Sequence, residues 1–236
     1  RQITCISEQC KKEIVNHYKV SPHTIEIIYN GVNISIFTPK NRTTYRDTVR
    51  ATYGIAPDEV LLLFVGSGFK RKGLKYVIEA LSLINKSQKT KLLVVGKGTI
   101  REHQRLARKN GVLDKLIFAG VCKHIQELYA GGDMFVFPSE YDAFGTACLE
   151  AMASGLPVIA SKSSGVSEII AQGQDGFVIH HPIDAREIAK YMNVLFIKEK
   201  REQMGCAARQ KAEMYSFEAN TEKTLQVYRN VLHIHH

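Results

Sequence analysis

Two short stretches of this chain combine residue types and spacings suited to chemistry. The first, Gly66-Ser67-Gly68-Phe69-Lys70-Arg71-Lys72-Gly73, follows directly on the apolar run Leu61–Val65. A glycine turn after a parallel strand lets backbone N–H groups approach a phosphate, and a helix beginning near Lys72 would add its positive end. The three consecutive cations would neutralise a diphosphate. A solvated basic turn capping a strand is the plainer account, because glycine-rich turns are common. The stretch is not a Walker loop, since no Gly-Lys-Ser/Thr closes it. Nor is it a dinucleotide fingerprint: the third glycine and the acidic ribose partner do not fall in place.

The second stretch runs PSEYDAFGTACLEAMASGLP from Pro138 to Pro157. A loop carries Asp142, and a helix is predicted to start near Phe144–Gly145, where its first amides can meet phosphate or sugar oxygens. Glu150 then lies about two turns into that helix, roughly 12 Å of rise beyond Asp142. One carboxylate can accept from sugar hydroxyls while the other accepts from a ribose. The alternative makes Asp142 an N-cap and Glu150 a solvated or ion-paired residue. Glu150 is followed by Ala-Met-Ala on a helix that must pack on a sheet, so an acid turned toward a cleft needs a reason.

The elements that must hold these loops are legible as alternating patterns. Val60–Val65, Lys91–Val95, Lys115–Ala119, Asp133–Phe137, Pro157–Ala160 and Gly176–Ile179 lack polar alternation, as strands covered on both faces do. Helical patterns lie between them at about 72–86, 99–110, 123–131, 144–154 and 165–172, then at 184–197 and 198–214. Strict alternation implies an α/β fold with a doubly wound parallel sheet, whose ligands sit outside the carboxyl ends of the strands. The beginning is different: Ile3–Ile6 reads as a strand, Glu8–His17 as a helix and Thr24–Ile28 as a strand, before a turn at Asn30-Gly31-Val32 and a linker around Thr38-Pro39. One strand–helix–strand piece cannot close its own core, so residues 1–40 are expected to be the end of a preceding domain. Residues 41–214 then form the main domain, and 215–236 a terminal helix and tail. The chain starts at Arg1 rather than Met, which predicts a fragment.

Composition narrows the classes. With 44% hydrophobic and 23% charged residues in 236, the chain can bury a core, and it has no apolar run long enough to span a membrane. A formal charge of +9 favours anionic partners without choosing among phosphates, nucleic acid and acidic lipid. Cys5, Cys10, Cys122, Cys148 and Cys206 form no Cys-x-x-Cys pair, which predicts reduced thiols in the cytoplasm and no structural zinc. His180–His181 and the closing His233, His235 and His236 are read as a surface turn and a solvated tail, so no metal site is expected.

The Pro138–Pro157 stretch resembles the "PS…E-G-F-G…LEA-A-G-PV" signature of family-four glycosyltransferases, two acids separated by seven residues included. Gly66–Gly73 resembles their diphosphate loop, with Lys72 on its lysine. Ile27 to Asn33, with Phe37 and Pro39, resembles their interdomain linker; Val94–Gly98 and Ser164–Glu168 resemble their "V-G-x-G" and "G-G-x-x-E" turns. The glycine loop is also similar in form to that of lipopolysaccharide-core glucosyltransferases.

The resemblance implies a GT-B-type fold, of which this chain is the Rossmann-like C-terminal donor domain with the N-terminal domain largely missing. It implies a retaining hexosyltransferase of cell-envelope or lipopolysaccharide biosynthesis that needs no metal or other cofactor. The implied donor is a UDP-sugar, with GDP- and ADP-sugars as the other candidates. A glycan or lipid-linked acceptor would be bound mainly by the missing domain, leaving the isolated chain inactive or weakly active. Lys72 would contact the diphosphate and Glu150 the ribose. The backbone of Phe144, Gly145 and Thr146 would meet sugar and phosphate. Asp142 stands where the family usually has Glu, and would hold the transferred sugar's hydroxyls. Ser67 stands where many members have Arg, leaving Lys70 or Arg71 for the second cationic contact. Val121, just beyond the run Lys115–Ala119, completes the implied donor-binding set.

The sequence also fits other readings. A GT-B epimerase would also bind a nucleoside diphosphate, and Asp142 and Ser67 are compatible with a non-catalytic binding module. Nucleic acid is not expected as a partner, because cations mix with acids and no stacking-aromatic motif occurs. Arg101, Arg105, Arg108 and Lys109 fit either a solvated helix face or peripheral attachment to the inner face of the plasma membrane.

Overall fold

The computed structural model describes residues 2–232. Its centre is a six-stranded parallel sheet of β3 (Val60–Val65), β4 (Thr90–Val95), β5 (Leu116–Gly120), β6 (Met134–Phe137), β7 (Val158–Ser161) and β8 (Gly176–Ile179). The strands lie in the order β5-β4-β3-β6-β7-β8. The chain therefore winds outward from β3 in one direction, returns to β6 beside β3, and winds outward in the other.

The absence of polar alternation in the strands has a direct cause. Along β3, Leu61 and Leu63 enter the core on one face, and Leu62 and Phe64 enter the core on the other. Each face is roofed by helices. On one side lie α2 (Asn41–Thr52), α5 (Ile125–Gly131), α6 (Thr146–Ala153) and α8 (Lys198–Glu213); on the other are α3 (Leu74–Leu83), α4 (Ile100–Lys109) and α7 (Ala185–Leu195). Fully burying each such leucine or phenylalanine contributes about 1.5–3 kcal/mol. The sheet thus offers a rigid base for the loops at its rims.

The opening residues form a separate small layer. β1 (Ile3–Cys5) pairs in parallel with β2 (Ile25–Ile27) across α1 (Glu8–Tyr18). Ser7 caps α1, its Oγ accepting from the Cys10 amide at 3.1 Å. Glu168 accepts from the next open amides, of Glu8 at 2.8 Å and Gln9 at 3.0 Å. The linker is tied to the last helix, α9 (Phe217–Leu232), through Val32 and Ser216 and through Asn220 Nδ2, which donates to the Tyr29 carbonyl at 2.7 Å.

Two elements differ from the sequence expectation. The helix expected over 165–172 shrinks to a 3-10 turn at Gly165–Glu168. The Asp175 side chain takes a backbone group that a longer helix would use, accepting from the Ala171 amide at 2.8 Å, and Gln172 Oε1 turns to β8, accepting from the Val178 amide at 2.6 Å. Conversely, α2 forms where no helix was expected. Its repeat is cationic rather than apolar: Arg42, Arg46 and Arg50 converge on Asp133, at 3.5, 2.8 and 3.0 Å. Asp133 is only 4% exposed and also accepts from the Leu61 amide at 2.8 Å.

Among the described residues all five cysteines are free, no group of three or more His, Cys, Asp or Glu could hold a metal, and no helix is long and apolar enough to cross a membrane. His180 Nδ1 lies 3.1 Å from Glu187. His233, His235 and His236 lie outside the described residues.

Candidate active site

The winding order leaves one crevice at the carboxyl rim, where the loops after β3 and β6 diverge. These are the two loops singled out by their residue types. The loop Gly66–Gly73 leaves β3 for α3, and Pro138–Gly145 leaves β6 for α6. They are knit together along their length. The Glu140 amide donates to the Arg71 carbonyl at 2.8 Å, and Arg71 Nη1 donates to the Tyr141 carbonyl at 2.9 Å. Gly73 is the closest approach, with φ of 76°. A Cβ there would run into the carbonyl of Pro138, so only glycine lets the loops meet.

Between them opens a cleft of about 390 Å³, lined by Ser67, Arg71, Lys72, Asp142, Gly145 and Thr146 together with Phe137 and Ala147. Lys72 Nζ pairs with Asp142 Oδ2 and sits 5.0 Å from the centre of the Phe137 ring. The two charged side chains are only 12% and 15% exposed, so each relies on the other for charge compensation. Asp142 Oδ1 accepts from the Phe144 amide at 3.2 Å, which orients the carboxylate across the cleft. The amides of Gly145, Thr146 and Ala147 donate to no other group among the described residues. They form the open first turn of α6, aimed by a left-handed Gly145 with φ of 92°. Unpaired helix-start amides beside a lysine make a ready seat for phosphate.

The remaining expected residues lie around the cleft. Phe144 is 1% exposed, and its backbone is taken by Asp142, Ser164 and Val166. Glu150 is on α6 but is not among the residues that line the cleft. Because α6 begins at Thr146, Glu150 is one turn in rather than two. Burial pushes its carboxyl up from the usual range, and the Tyr129 hydroxyl, donating at 2.9 Å, opposes that shift. Lys70 lines a neighbouring hollow of about 410 Å³ with Phe69, Gly98 and His103, which Arg71 also borders. Ser67 accepts from the Lys97 amide at 3.3 Å, joining the glycine loop to the Val94–Gly98 turn. Val121 stands just past β5, 61% exposed, and does not line the cleft.

The structure also adds positioning residues that the motifs did not single out. Tyr141 donates to Glu13 of α1 at 2.8 Å, and this bond is the main reason its hydroxyl is pushed up to about 12. Asn30 of the linker donates to Thr146 Oγ1 at 3.2 Å. Glu140 accepts from Lys75 at 2.9 Å, which holds its carboxyl below the usual range. No local pattern signals these pairs, because each joins segments far apart in sequence.

The cleft lies at the switch point of a doubly wound sheet, where sheets of this kind bind their ligands. Residues 45–211 match the family model described as glycosyl transferases group 1. The chain belongs to that family. It is 33% identical over 174 residues to the lipopolysaccharide glucosyltransferase WaaG of Escherichia coli, covering 73% of this chain and 46% of WaaG. It is 32% identical over 182 residues to an uncharacterised glycosyltransferase of Methanocaldococcus jannaschii, covering 76% and 47% of the two chains. It thus spans about half the length of the curated relatives it matches. The crystal structure of WaaG, a glycosyltransferase involved in lipopolysaccharide biosynthesis, superposes with a TM-score of 0.86 at 28% identity, covering 96% of this chain and 62% of the other. The C-terminal domain of a group 1 family protein, LpcC of Francisella tularensis, is matched over its whole length by 79% of this chain, with a TM-score of 0.69 and 25% identity.

Proposed function

We propose that this chain is the donor-binding half of a retaining hexosyltransferase, which moves a hexose from a nucleotide-diphosphate sugar to a glycan or lipid-linked acceptor. The observation that carries the reading is the convergence of Lys72, Asp142 and the open amides of Gly145–Ala147 on one cleft. An entering diphosphate takes over Lys72 and those amides. Asp142 is thereby released from its ion pair and turns to the hydroxyls of the hexose. As the donor bond breaks, negative charge grows on the departing diphosphate, and Lys72, Arg71 and the amides stabilise it without waiting for solvent. Glu150 accepts from the ribose hydroxyls. In this reading the chain's own groups carry the step and no metal is needed.

The donor we favour is a UDP-sugar. The relation to a lipopolysaccharide glucosyltransferase supports a hexose and a cell-envelope acceptor, bound mainly by a preceding domain of which residues 1–40 are the last part. Residues 41–214 are then the donor domain, and 215–236 the segment returning toward its partner. A cytoplasmic location at the inner face of the plasma membrane belongs to the same proposal. Calorimetric titration with UDP, GDP and ADP, and with the corresponding glucose donors, tests it. One base should bind in preference to the others, and no binding by any of the three sinks the reading. In a chain that includes the preceding domain, the product's anomeric configuration tests retention.

A further inference from the structure

A second cavity, of about 520 Å³, opens at the opposite rim of the sheet. It lies by the starts of β6 and β7, bordered by Asp133 and Pro157, whereas the donor cleft lies past the ends of β3 and β6. Its size suits a small ligand. Five cationic side chains line it, Arg42, Arg46, Lys198, Arg201 and Arg209, against two carboxylates, Asp133 and Glu202.

Asp133 is already saturated. It meets Arg42, Arg46 and the deeper Arg50, so one negative charge faces three guanidiniums. Arg209 is neutralised by Glu213 at 2.7 Å, and its Nη1 holds the carbonyls of Ile34, Phe37 and Ala153. Lys198 and Arg201 add to the surplus that the three arginines leave around Asp133, and they hold donors not spent on protein groups. The nearest carboxylate to Lys198 is Glu202, at 3.9 Å, and both of those side chains are at least 66% exposed. Arg201 spends only Nη1, on the carbonyls of Leu195 and Phe196; its Nε and Nη2 donate to nothing among the described residues. The surplus is felt nearby: burial, then repulsion from Arg46 and Arg201, holds the Arg42 guanidinium below its ordinary pKa despite Asp133. A planar fork with spare donors beside an ammonium is suited to a tetrahedral oxyanion.

We propose that this cavity is a second ligand site, which binds a phosphate monoester or diester through Arg201 and Lys198 and is distinct from the donor cleft. Free phosphate compounds and phospholipid headgroups share that chemistry. Nothing in the proposal depends on what the donor cleft binds.

Cys206 is exposed and lines the cavity, so its alkylation rate reports occupancy locally. The intact chain is treated with iodoacetamide, and the Cys206 peptide is followed by mass spectrometry. The probes are inorganic phosphate, sn-glycerol 3-phosphate, sodium chloride at matched ionic strength, and phosphatidylcholine vesicles with or without phosphatidylglycerol. A phosphate-bearing probe is expected to slow alkylation saturably where chloride does not. Lys198→Glu, at a solvated position, should raise the half-saturating concentration about tenfold, as expected for losing one charge-assisted contact. Lys86→Glu, the same charge change in the exposed turn after α3, should leave it unchanged. Protection by the soluble phosphates identifies a small-molecule ligand, and protection by the phosphatidylglycerol vesicles alone identifies a headgroup. Alkylation unaffected by every probe, or protection that survives Lys198→Glu, overturns the proposal.

Discussion

Two charge clusters, the Asp133 cluster at the amino rim of the sheet and the Lys72–Asp142 pair at the carboxyl rim, are partnered in opposite ways. At the amino rim, Asp133 is held by three arginines and the Leu61 amide, and those guanidiniums also grip the carbonyls of Gly131, Gly132, Ala56 and Glu59. The cluster fastens α2 and its flanking loops to the start of β6. At the carboxyl rim, Lys72 has one partner, Asp142, and three helix-start amides beside them have none among the described residues. A network with its partners supplied internally holds a fold together, whereas one short of acceptors is prepared for a ligand. Charge at a rim therefore says little about function until its partners are counted.

Substitutions that remove one charge from each rim test the contrast directly. Asp133→Ala leaves three buried or half-buried arginines without their carboxylate and should destabilise the chain by about 3–5 kcal/mol in urea unfolding. Asp133→Asn keeps the shape but removes the charge, and should fall between. A loss below about 1 kcal/mol would mean that the arginines find other acceptors and the cluster is not a clasp. Lys72→Ala should reverse the pattern. Nucleoside-diphosphate affinity should drop by about 3 kcal/mol, roughly a hundredfold, while the unfolding midpoint moves less than for Asp133→Ala. Unchanged affinity in calorimetry would remove Lys72 from the phosphate role. Gly73→Ala strains the left-handed turn and drives a methyl into the Pro138 carbonyl. It should cost about 1–3 kcal/mol of stability and weaken nucleotide binding, because the two loops can no longer meet.

The same contrast explains what could be read from the sequence. The strands were legible because both faces of the sheet are covered, so β3 reads as unbroken VLLLFV. The carboxyl-rim loops were legible because the glycines and cations that meet at the cleft lie close together in the chain. The amino-rim clasp was not. α2 reads NRTTYRDTVRAT, with Tyr45 and Val49 its only large apolar residues, and its true repeat at 42, 46 and 50 makes sense only once Asp133, over eighty residues away, is known to be opposite. The 165–172 segment failed in the other direction. Its apolar pair Ile169–Ile170 is buried as a helix's would be, but the Asp175 side chain takes the Ala171 amide and Gln172 is drawn to the Val178 amide of β8. Within the site, Glu150 lies nearer the start of α6 than the sequence suggests, because the left-handed Gly145 delays that start from Phe144–Gly145 to Thr146.

Two carboxylates, the buried Asp133 and the half-buried Glu150, give the finest form of the comparison, through pH. Burial works against the Asp133 carboxylate, yet Arg46, the Leu61 amide and Arg50 outweigh it and lower its pKa. Its stabilisation is therefore present above the ordinary carboxylate range and is lost as pH falls through the depressed value. Glu150 is the reverse case: burial wins over the Tyr129 hydroxyl and its pKa is raised. Its charged form thus costs stability above its raised pKa, and the cost vanishes as pH falls below the usual glutamate value of about 4.3. Glu150→Gln, whose amide oxygen can still accept from Tyr129, should raise the melting temperature at neutral pH, with the gain closing toward pH of about 4. It should also weaken nucleotide binding by roughly tenfold, if the carboxylate accepts ribose hydroxyls. A variant less stable than the parent at neutral pH would show that the Glu150–Tyr129 bond serves the fold, which would place this acid with Asp133 rather than with Asp142.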